Sequence, residues 1–387
     1  MGLVGPLLAV SAQMLVNFET GRISDLHKLY FVHHLYRHPV PYVGVGIEYP
    51  VLTGVFMTGA AALTHGPVGY MRLSSLGLWA CALGSTCVLW RLSRRAAWCF
   101  ALCPLLLVYS LLNWDLLAIF LMLLGWHAWT RNRYRAAAFW LALGTFAKLY
   151  PVFLFAFCLV ELARRWRSGQ AAGRDVVRFL VTALAVTVAV NVPFMVLAFH
   201  NWAFFWSFNA ARNEHAGLLF WLHLLNHTSP GTTNAILTSL VLAAAAIGAL
   251  AIWRGAKVAD VAVAVFCVLM LLQKVYSPQY TLWVAAFALI AGWDLWAICA
   301  LSMMGLTDYA SAVIHIALVQ RHSSFVFWYQ NQIMPLDQGL RLLTTLAVAI
   351  AMAHRAARRS HTSELAREIW LGFPRATPPR DVRTAPP

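Results

Sequence analysis

Apolar runs of about 17 to 25 residues recur along almost the whole chain, and this pattern restricts the fold more than any other feature. Runs of this length can cross a bilayer as helices, which satisfy every backbone N–H and C=O within the segment. The chain is 61% hydrophobic and only 11% charged over its 387 residues. The sequence therefore predicts an all-α, polytopic membrane protein with about 12 transmembrane helices.

Basic residues are concentrated between the apolar runs, and they give the chain a formal net charge of +15. Because lysine and arginine accumulate on the cytoplasmic side of membrane proteins, we place these clusters there, beside the lipid bilayer, and predict no nucleic-acid partner. The clusters are Arg91, Arg94 and Arg95; Arg131, Arg133 and Arg135; Arg164, Arg165, Arg167, Arg174 and Arg178; and Arg254 with Lys257. We predict an integral membrane domain, residues 1–354, and a disordered basic cytoplasmic tail, residues 355–387.

The chain shows no pattern of metal ligands. Its seven cysteines all lie in apolar segments, and neither metal spacing nor a disulfide framework is apparent. His33 and His34 have no ligand spacing to another histidine, cysteine or acid. We therefore predict no metal and no cofactor.

The basic clusters also decide which apolar runs cross the membrane. We predict residues 1–18 as a first span that runs outward. If residues 49–64 crossed back, the arginines after the next span, 70–90, would lie outside, against the charge rule. Residues 49–64 are therefore predicted as an interfacial or re-entrant helix in the first outer loop. Further spans are predicted at 96–112, 115–130, 177–198, 234–253 and 258–273, then three more, with outer loops at 199–233 and 319–338.

The stretch 136–163 is predicted as a broken hairpin and not as one helix. Arginine clusters flank it on both sides, so one continuous helix would place them on opposite sides of the membrane. A break at Lys148-Leu149-Tyr150-Pro151 keeps both clusters inside, because proline disfavours helix at the residue before it. Each arm has about 12 residues, or roughly 18 Å, so the turn is expected within the membrane.

Charged residues on the predicted outer face are the candidates for a site, since a charge at membrane depth is costly. They are Asp25, Glu48, Asp115, Lys148, Arg212, Glu214, Lys274 and Arg321. Asp25 lies in the polar loop at about 19–50, where burial raises a carboxylate's pKa and suits it to accept a hydroxyl proton. The alternative is an aspartate that caps a helix or pairs with Arg22 or Lys28.

The other charged candidates also allow two interpretations each. Lys148 and Lys274 both lie close to a tyrosine and a proline at a helix break, where an ammonium group could hold a lipid phosphate or extend to the interface. Asp115 opens a predicted span, so it is either a helix cap or a second acid in the same cavity as Asp25. Glu48 precedes Tyr49-Pro50 and is either part of that site or an interfacial anchor.

Several short motifs occur in an order that resembles a known family. They are Asp25, Pro41-Tyr42, Glu48-Tyr49-Pro50, Asn113 to Asp115, the Lys148-Leu-Tyr-Pro151 break, and Lys274-Val-Tyr-Ser-Pro-Gln-Tyr280. Together they resemble the GT-C fold membrane glycosyltransferases, and most closely glycosyltransferase family 87, the polyprenol-phosphate-mannose-dependent α-1,2-mannosyltransferases of actinobacteria. The resemblance covers about residues 20–295. The chain departs from it at Val51, where the family often has a second proline.

The resemblance implies a hexosyltransferase of the cell membrane with an extracytoplasmic active site. Asp25 would be the general base in an inverting transfer of a sugar, mannose by the resemblance, from a polyprenyl-phosphate donor to a glycolipid or polysaccharide acceptor. Lys148 and Lys274, helped by Arg321, would stabilise the leaving lipid phosphate. The remaining predicted substrate-binding residues are Glu48, Tyr49, Asp115, Tyr150, Tyr276 and Gln279. The alternative is a flippase or transporter of lipid-linked sugars, which would use the same lysines without a base.

Overall fold

The computed structural model describes residues 2–20, 24–212, 217–293 and 295–372. In these ranges the protein is all-helical, with sixteen α-helices, one short 3-10 helix at Leu35–Arg37 and no named strand. The all-α prediction is confirmed for this part of the chain. Arg22, Glu214 and the tail beyond residue 372 lie outside the described residues.

Most of the helices follow one another with short connections, and a longer one, residues 33–50, links α2 to α3. The first eight are α1 (Val4–Thr20), α2 (Asp25–Val32), α3 (Val51–Ala62), α4 (Gly66–Leu92), α5 (Arg94–Ala101), α6 (Pro104–Tyr109), α7 (Asp115–Thr130) and α8 (Tyr134–Thr145). The second eight are α9 (Pro151–Arg167), α10 (Gly173–Ala211), α11 (Leu218–Trp221), α12 (Pro230–Trp253), α13 (Val258–Leu272), α14 (Tyr280–Ile290), α15 (Leu295–Gln320) and α16 (Phe325–Gly372).

Several of these helices have the length and composition of membrane spans. Five of the described segments are long and apolar enough to cross a bilayer, namely Gly66–Leu92, Gly173–Ala211, Pro230–Trp253, Ala297–Gln320 and Phe325–Arg358. Others are apolar but shorter, and α3, with 12 residues, is about 18 Å long against a hydrocarbon thickness of about 30 Å. The structure therefore supports a helical membrane protein, while the number of about 12 spans stays a prediction.

The predicted broken hairpin is confirmed. Helix α8 ends at Thr145, and α9 begins at Pro151, which occupies the first helical turn, where its missing N–H costs nothing. The carbonyls freed by the break bind α3: the Phe146 oxygen accepts from the Leu52 N–H (2.8 Å), and the Ala147 oxygen accepts from the Thr53 hydroxyl (2.7 Å). The non-helical backbone is therefore buried against protein and keeps its hydrogen bonds.

The outer loop predicted from residue 199 is wrong in its first part. Helix α10 continues to Ala211, and only Ala198 leaves the helical region, with φ −158° and ψ 65°, five residues after Pro193. Residues 199–211 form a helical segment that we call the α10 arm. The Trp202 indole N–H donates to Asn191 Oδ1 (3.2 Å) across the bend, which fixes the arm relative to the rest of the helix.

Two other boundaries differ from the sequence prediction. Pro104 divides the predicted span 96–112 into α5 and α6. The outer loop predicted at 319–338 is wrong, because α16 already begins at Phe325. Tyr329 in that region donates from its hydroxyl to the Ser311 carbonyl of α15 (3.4 Å), so the aromatic stretch packs as a helix. Helix α16 also continues to Gly372, past residue 354, where the sequence predicts a disordered tail.

Candidate functional site

A cavity of about 770 Å³ lies at the end of the bundle where α2, α9 and α14 begin; we call it the Asp25 cavity. Its charged wall residues are Asp25, Lys28, Glu48, Lys148 and Arg212. The rest of the wall is largely aromatic and includes Tyr49, Phe146, Tyr150, Phe153, Phe205, Trp206, Phe208, Tyr280 and Trp283, with Asn113 and Gln279 among its polar groups. Of the ten predicted site residues, six therefore lie on this wall: Asp25, Glu48, Tyr49, Lys148, Tyr150 and Gln279.

Asp25 is the first residue of α2, and the turn between α6 and α7 holds it in place. Its backbone N–H donates to the Leu112 carbonyl (2.9 Å). The preceding Ser24 caps the helix by accepting from the Leu26 N–H, and its hydroxyl donates to the Leu111 carbonyl (2.6 Å). Ser24 therefore does the capping, which leaves the Asp25 carboxylate directed to other partners.

The Asp25 carboxylate is bound by a neutral amide. Asn113 Nδ2 donates to Asp25 Oδ2 (3.1 Å) and also to the Tyr49 hydroxyl oxygen (2.7 Å). Asn113 Oδ1 accepts from the Trp114 backbone N–H (2.7 Å), which orients the NH2 group toward the acid. Among the described residues no ion pair involves Asp25, so the predicted alternative of a pair with Lys28 is not observed.

Burial raises the pKa of Asp25 above its usual value. The hydrogen bond from Asn113 and the positive charges of Lys148 and Lys28 act in the opposite direction without cancelling the effect of burial. A carboxylate with a raised pKa is a stronger proton acceptor in its ionised form, and this is the property that a general base needs.

Lys148 is buried at the helix break and has a carboxylate partner. Its Nζ lies 3.3 Å from Asp115 Oδ1, 4.4 Å from the centre of the Tyr49 ring and 5.5 Å from that of Trp283. The side chain therefore does not extend to the interface. Asp115, the first residue of α7, is fully buried behind Lys148 and is not on the cavity wall. The structure makes Asp115 the counter-ion of Lys148 and not a second acid facing the cavity.

Glu48 has a different kind of partner from Asp25. It forms an ion pair with His33 Nε2, on the turn after α2. Burial raises the pKa of Glu48, but the hydrogen bond and charge of His33 outweigh this effect, so the pKa is lowered overall. Glu48 is thus an ionised acid on the wall and a weaker proton acceptor than Asp25.

Three further predicted site residues, besides Asp115, lie away from the wall. Lys274 Nζ donates to the Ala210 carbonyl at the end of the α10 arm (3.0 Å), and burial together with the charge of Arg212 lowers its pKa. The Tyr276 hydroxyl is buried and bonds to Thr345 Oγ1 (2.6 Å). Arg321 is exposed just beyond the end of α15. The structure therefore does not place Lys274, Tyr276 or Arg321 on the wall of the Asp25 cavity, and their predicted roles in holding phosphate and substrate stay predictions.

Two cations on the wall, Lys28 and Arg212, are not among the ten predicted site residues, although Arg212 was one of the charged candidates on the predicted outer face. Lys28 lies one turn after Asp25 in α2. Arg212 directly follows the α10 arm, and its guanidinium lies 5.5 Å from the centre of the Phe208 ring. Spacing could have identified Lys28, because residues three apart share a helix face. Arg212 was missed as a site residue because the region was predicted as loop, whereas the helical arm carries it to the cavity.

The floor of the cavity is a stack of aromatic rings. Trp283 stacks on Tyr150 with the ring centres 4.5 Å apart, and on Tyr280 at 4.0 Å. Tyr150 lies within the hairpin break, and the other two rings belong to the first turn of α14, so the break and the start of this helix together build the floor.

Comparison with protein-family models, with curated proteins and with solved structures finds no match for this chain. The resemblance to the membrane glycosyltransferases therefore remains a prediction from the motifs. Of those motifs, Asp25, Glu48-Tyr49-Pro50, Asn113, Lys148 and Gln279-Tyr280 contribute residues to the wall of one cavity.

Proposed function

We propose that the protein transfers a sugar from a polyprenyl-phosphate donor to an acceptor hydroxyl on the outer face of the cell membrane, with inversion. The observation that carries this proposal is the Asp25 cavity itself. A partly exposed carboxylate bound by a neutral amide shares its wall with Lys28, Lys148 and Arg212. General-base transfer from a lipid phosphate needs this combination of one proton acceptor and nearby positive charge.

In the proposed step, Asp25 accepts the proton of the acceptor hydroxyl as that oxygen attacks the anomeric carbon of the donor. The new carbon–oxygen bond forms on the face opposite the phosphate, and the bond between the anomeric carbon and the phosphate oxygen breaks. The polyprenyl phosphate leaves with the electron pair of that bond, and Asp25 holds the proton. A single displacement of this kind inverts the anomeric centre, as in inverting glycosidases.

Positive charge on the wall would stabilise the leaving phosphate. Lys148 is fixed by Asp115 and by the rings of Tyr49 and Trp283, so its ammonium group needs little reorganisation when charge develops nearby. Arg212 takes the place that the sequence assigned to Lys274, and its planar guanidinium suits two phosphate oxygens at once.

The apolar part of the wall fits the other portions of such a donor. The stacked rings of Tyr150, Trp283 and Tyr280 offer a flat surface for a sugar ring. Phe205, Trp206 and Phe208 of the α10 arm form an aromatic side for the first isoprene units. The resemblance favours mannose as the sugar and a glycolipid or polysaccharide as the acceptor.

The direct test is Asp25→Asn, assayed with radiolabelled polyprenyl-phosphate mannose and membrane acceptors. We expect transfer to fall by about a hundred- to ten-thousandfold, because the general base is lost while the side chain keeps its shape. Asp175→Asn, at the first turn of α10 near the other end of the bundle, is the matched control and should transfer like the parent. Transfer by the Asp25→Asn protein near the parent rate would remove Asp25 from the mechanism.

The same protein preparations separate the enzyme from the alternative, a flippase of lipid-linked sugars. Detergent-solubilised protein has no membrane potential and no second compartment, so product formed there requires an enzyme. A flippase would instead move a labelled lipid between the leaflets of proteoliposomes, with equal rates for the parent and for Asp25→Asn.

A further inference from the structure

A second polar cavity, of about 630 Å³, lies at the opposite end of the same helices, and we call it the Arg165 cavity. Helix α9 connects the two, since Phe153 lines the Asp25 cavity and Arg165 lines this one. Twelve residues of helix separate them, which corresponds to about 18 Å. The second cavity is therefore a separate site that the proposed transfer reaction does not use.

Four cationic side chains line the Arg165 cavity against two acidic ones. The cations are Arg164, Arg165, Lys257 and Arg355, and the acids are Glu161 and Asp260. The wall thus has an excess of two positive charges. These cations come from the end of α9, the start of α13 and the middle of α16, so the fold brings together groups that are far apart in sequence.

The arginines are held in fixed positions. Arg164 donates from Nε and Nη2 to the two oxygens of Glu161 (2.7 and 2.8 Å), and Arg165 Nε donates to the same carboxylate (2.8 Å). Arg355 Nη2 donates to the Ala291 carbonyl (3.1 Å) and lies 3.6 Å from Asp260 Oδ1. A guanidinium has five N–H donors, and Glu161 engages only two of those on Arg164. The set is therefore preorganised and keeps donors for a further acceptor.

Lys257 differs from the arginines because it is exposed and forms no ion pair within the described part of the chain. It precedes the first turn of α13, and its side chain makes no capping hydrogen bond there. Val258 and Ala259 of that turn also line the cavity. The positive end of the helix dipole adds to the charge of the four side chains.

The surroundings indicate a membrane lipid more than a soluble anion. Two candidate spans, Pro230–Trp253 of α12 and Phe325–Arg358 of α16, end close to the residues of this wall, so the cavity is at the height where a lipid headgroup lies. Trp126 and Trp129 are on the wall, and tryptophan is enriched at the membrane–water interface. Basic pockets between helices at the cytoplasmic side are suited to anionic headgroups.

We propose that the Arg165 cavity binds the phosphate group of an anionic phospholipid from the leaflet at the basic end of the protein. The guanidinium groups match the phosphate oxygens, and the lipid tails remain beside the helices. This inference does not depend on the proposed transfer reaction, because it uses a different end of the molecule and different residues.

The test is a titration of the purified full-length protein with short-chain phosphatidylglycerol, with phosphatidylcholine of the same chain length and with inorganic phosphate. The thermal midpoint in each series gives the affinity, because a ligand of the folded state stabilises it by mass action. We expect phosphatidylglycerol to raise the midpoint and the other two to have little effect. Equal shifts with both lipids, or a shift with inorganic phosphate alone, would overturn the lipid assignment.

A pair of variants locates the effect. Lys257→Gln should weaken phosphatidylglycerol binding by about fivefold, which is typical for one cation near an anionic headgroup. Arg254→Gln is the matched control, since it removes the same charge from the same turn but Arg254 does not line the cavity. The control should bind like the parent. Equal losses in the two variants would mean that general surface charge, and not this cavity, attracts the lipid.

Discussion

The two cavities lie at opposite ends of the same helices, and they hold their acidic residues in different ways. In the Arg165 cavity, Glu161 is bound directly by Arg164 and Arg165. In the Asp25 cavity, Asp25 is bound by the neutral amide of Asn113, while the cations remain elsewhere on the wall. Two guanidinium partners stabilise the charged form of a carboxylate and lower its pKa. A partly buried carboxylate whose partner is a neutral amide keeps a higher pKa and accepts a proton more readily.

A second acid with a cationic partner lies directly behind the wall of the Asp25 cavity. Lys148 and Asp115 are both buried and lie side by side, as Glu161 and Arg164 do, so within one site the paired acid is structural and the acid bound by an amide faces the open space. The comparison teaches that the partner of each acid, more than its depth, distinguishes the structural acids from the acid that we propose as the base. The following experiments test this distinction.

The largest effect is expected at the buried pair. Lys148→Met should destabilise the protein by about 3–5 kcal/mol, because Asp115 is left as an uncompensated buried charge. Denaturant unfolding of the detergent-solubilised protein measures this loss. The double variant Lys148→Met/Asp115→Asn should recover most of the stability and none of the transfer activity. Parent-like stability of the single variant would show that Asp115 is not charged beside Lys148.

The next largest effect is expected at Arg212. Arg212→Gln should reduce kcat/KM for the polyprenyl-phosphate donor by about ten- to hundredfold, which corresponds to the loss of one charge-assisted hydrogen bond to phosphate. Arg321→Gln is the control, because it removes the same charge from an arginine that does not line the Asp25 cavity. An effect of Arg321→Gln as large as that of Arg212→Gln would favour the sequence prediction over the structure.

A smaller and pH-dependent effect is expected at Asn113. Its hydrogen bond lowers the pKa of Asp25, so Asn113→Leu should raise that pKa further above its usual value. Since the base must be deprotonated to work, the acidic limb of the pH profile of kcat/KM should move to higher pH. Asn331→Leu is the control, because the Asn331 amide donates to the Phe327 carbonyl of its own helix, and this variant should leave the acidic limb in place. An unmoved limb in Asn113→Leu would contradict the assignment of Asp25 as the titrating group.

The smallest effect is expected at Glu48 and His33. The folded-state pKa of Glu48 is lowered, so its contribution to stability is present above the unfolded pKa of about 4.5 and is lost as the pH falls through the folded value. His33→Gln should therefore flatten the fall of Tm on acidification below pH of about 4.5. His34 is the exposed neighbour of His33, so the Tm of His34→Gln should fall on acidification as steeply as that of the parent. If the Tm of His33→Gln fell on acidification as steeply as that of the parent, the ion pair would be ruled out as a source of stability.

Parts of the site could be predicted from sequence because they are local. Pro151 fixes the hairpin break, and the break places Lys148 and Tyr150 at the end of a helix whatever surrounds them. Charge clusters and apolar runs then determine which end of the bundle each segment boundary occupies. On that basis Asp25 and Lys148 were expected at one end, and the structure brings both to one cavity.

Sequence alone determined the helical class, the break and the end of the bundle to which most charges belong, since these follow from hydropathy, proline geometry and the charge rule. Only the tertiary structure decided where each charged residue lies around that end of the bundle, and therefore whether it reaches the cavity wall. Lys274 and Arg321 share an end with Asp25 but lie outside its cavity, whereas the bend at Ala198 carries Arg212 to the wall. The reason is physical. A helix boundary, which the sequence shows, fixes how far along the bundle axis a residue lies, whereas the packing of the helices fixes which side of the bundle the residue faces.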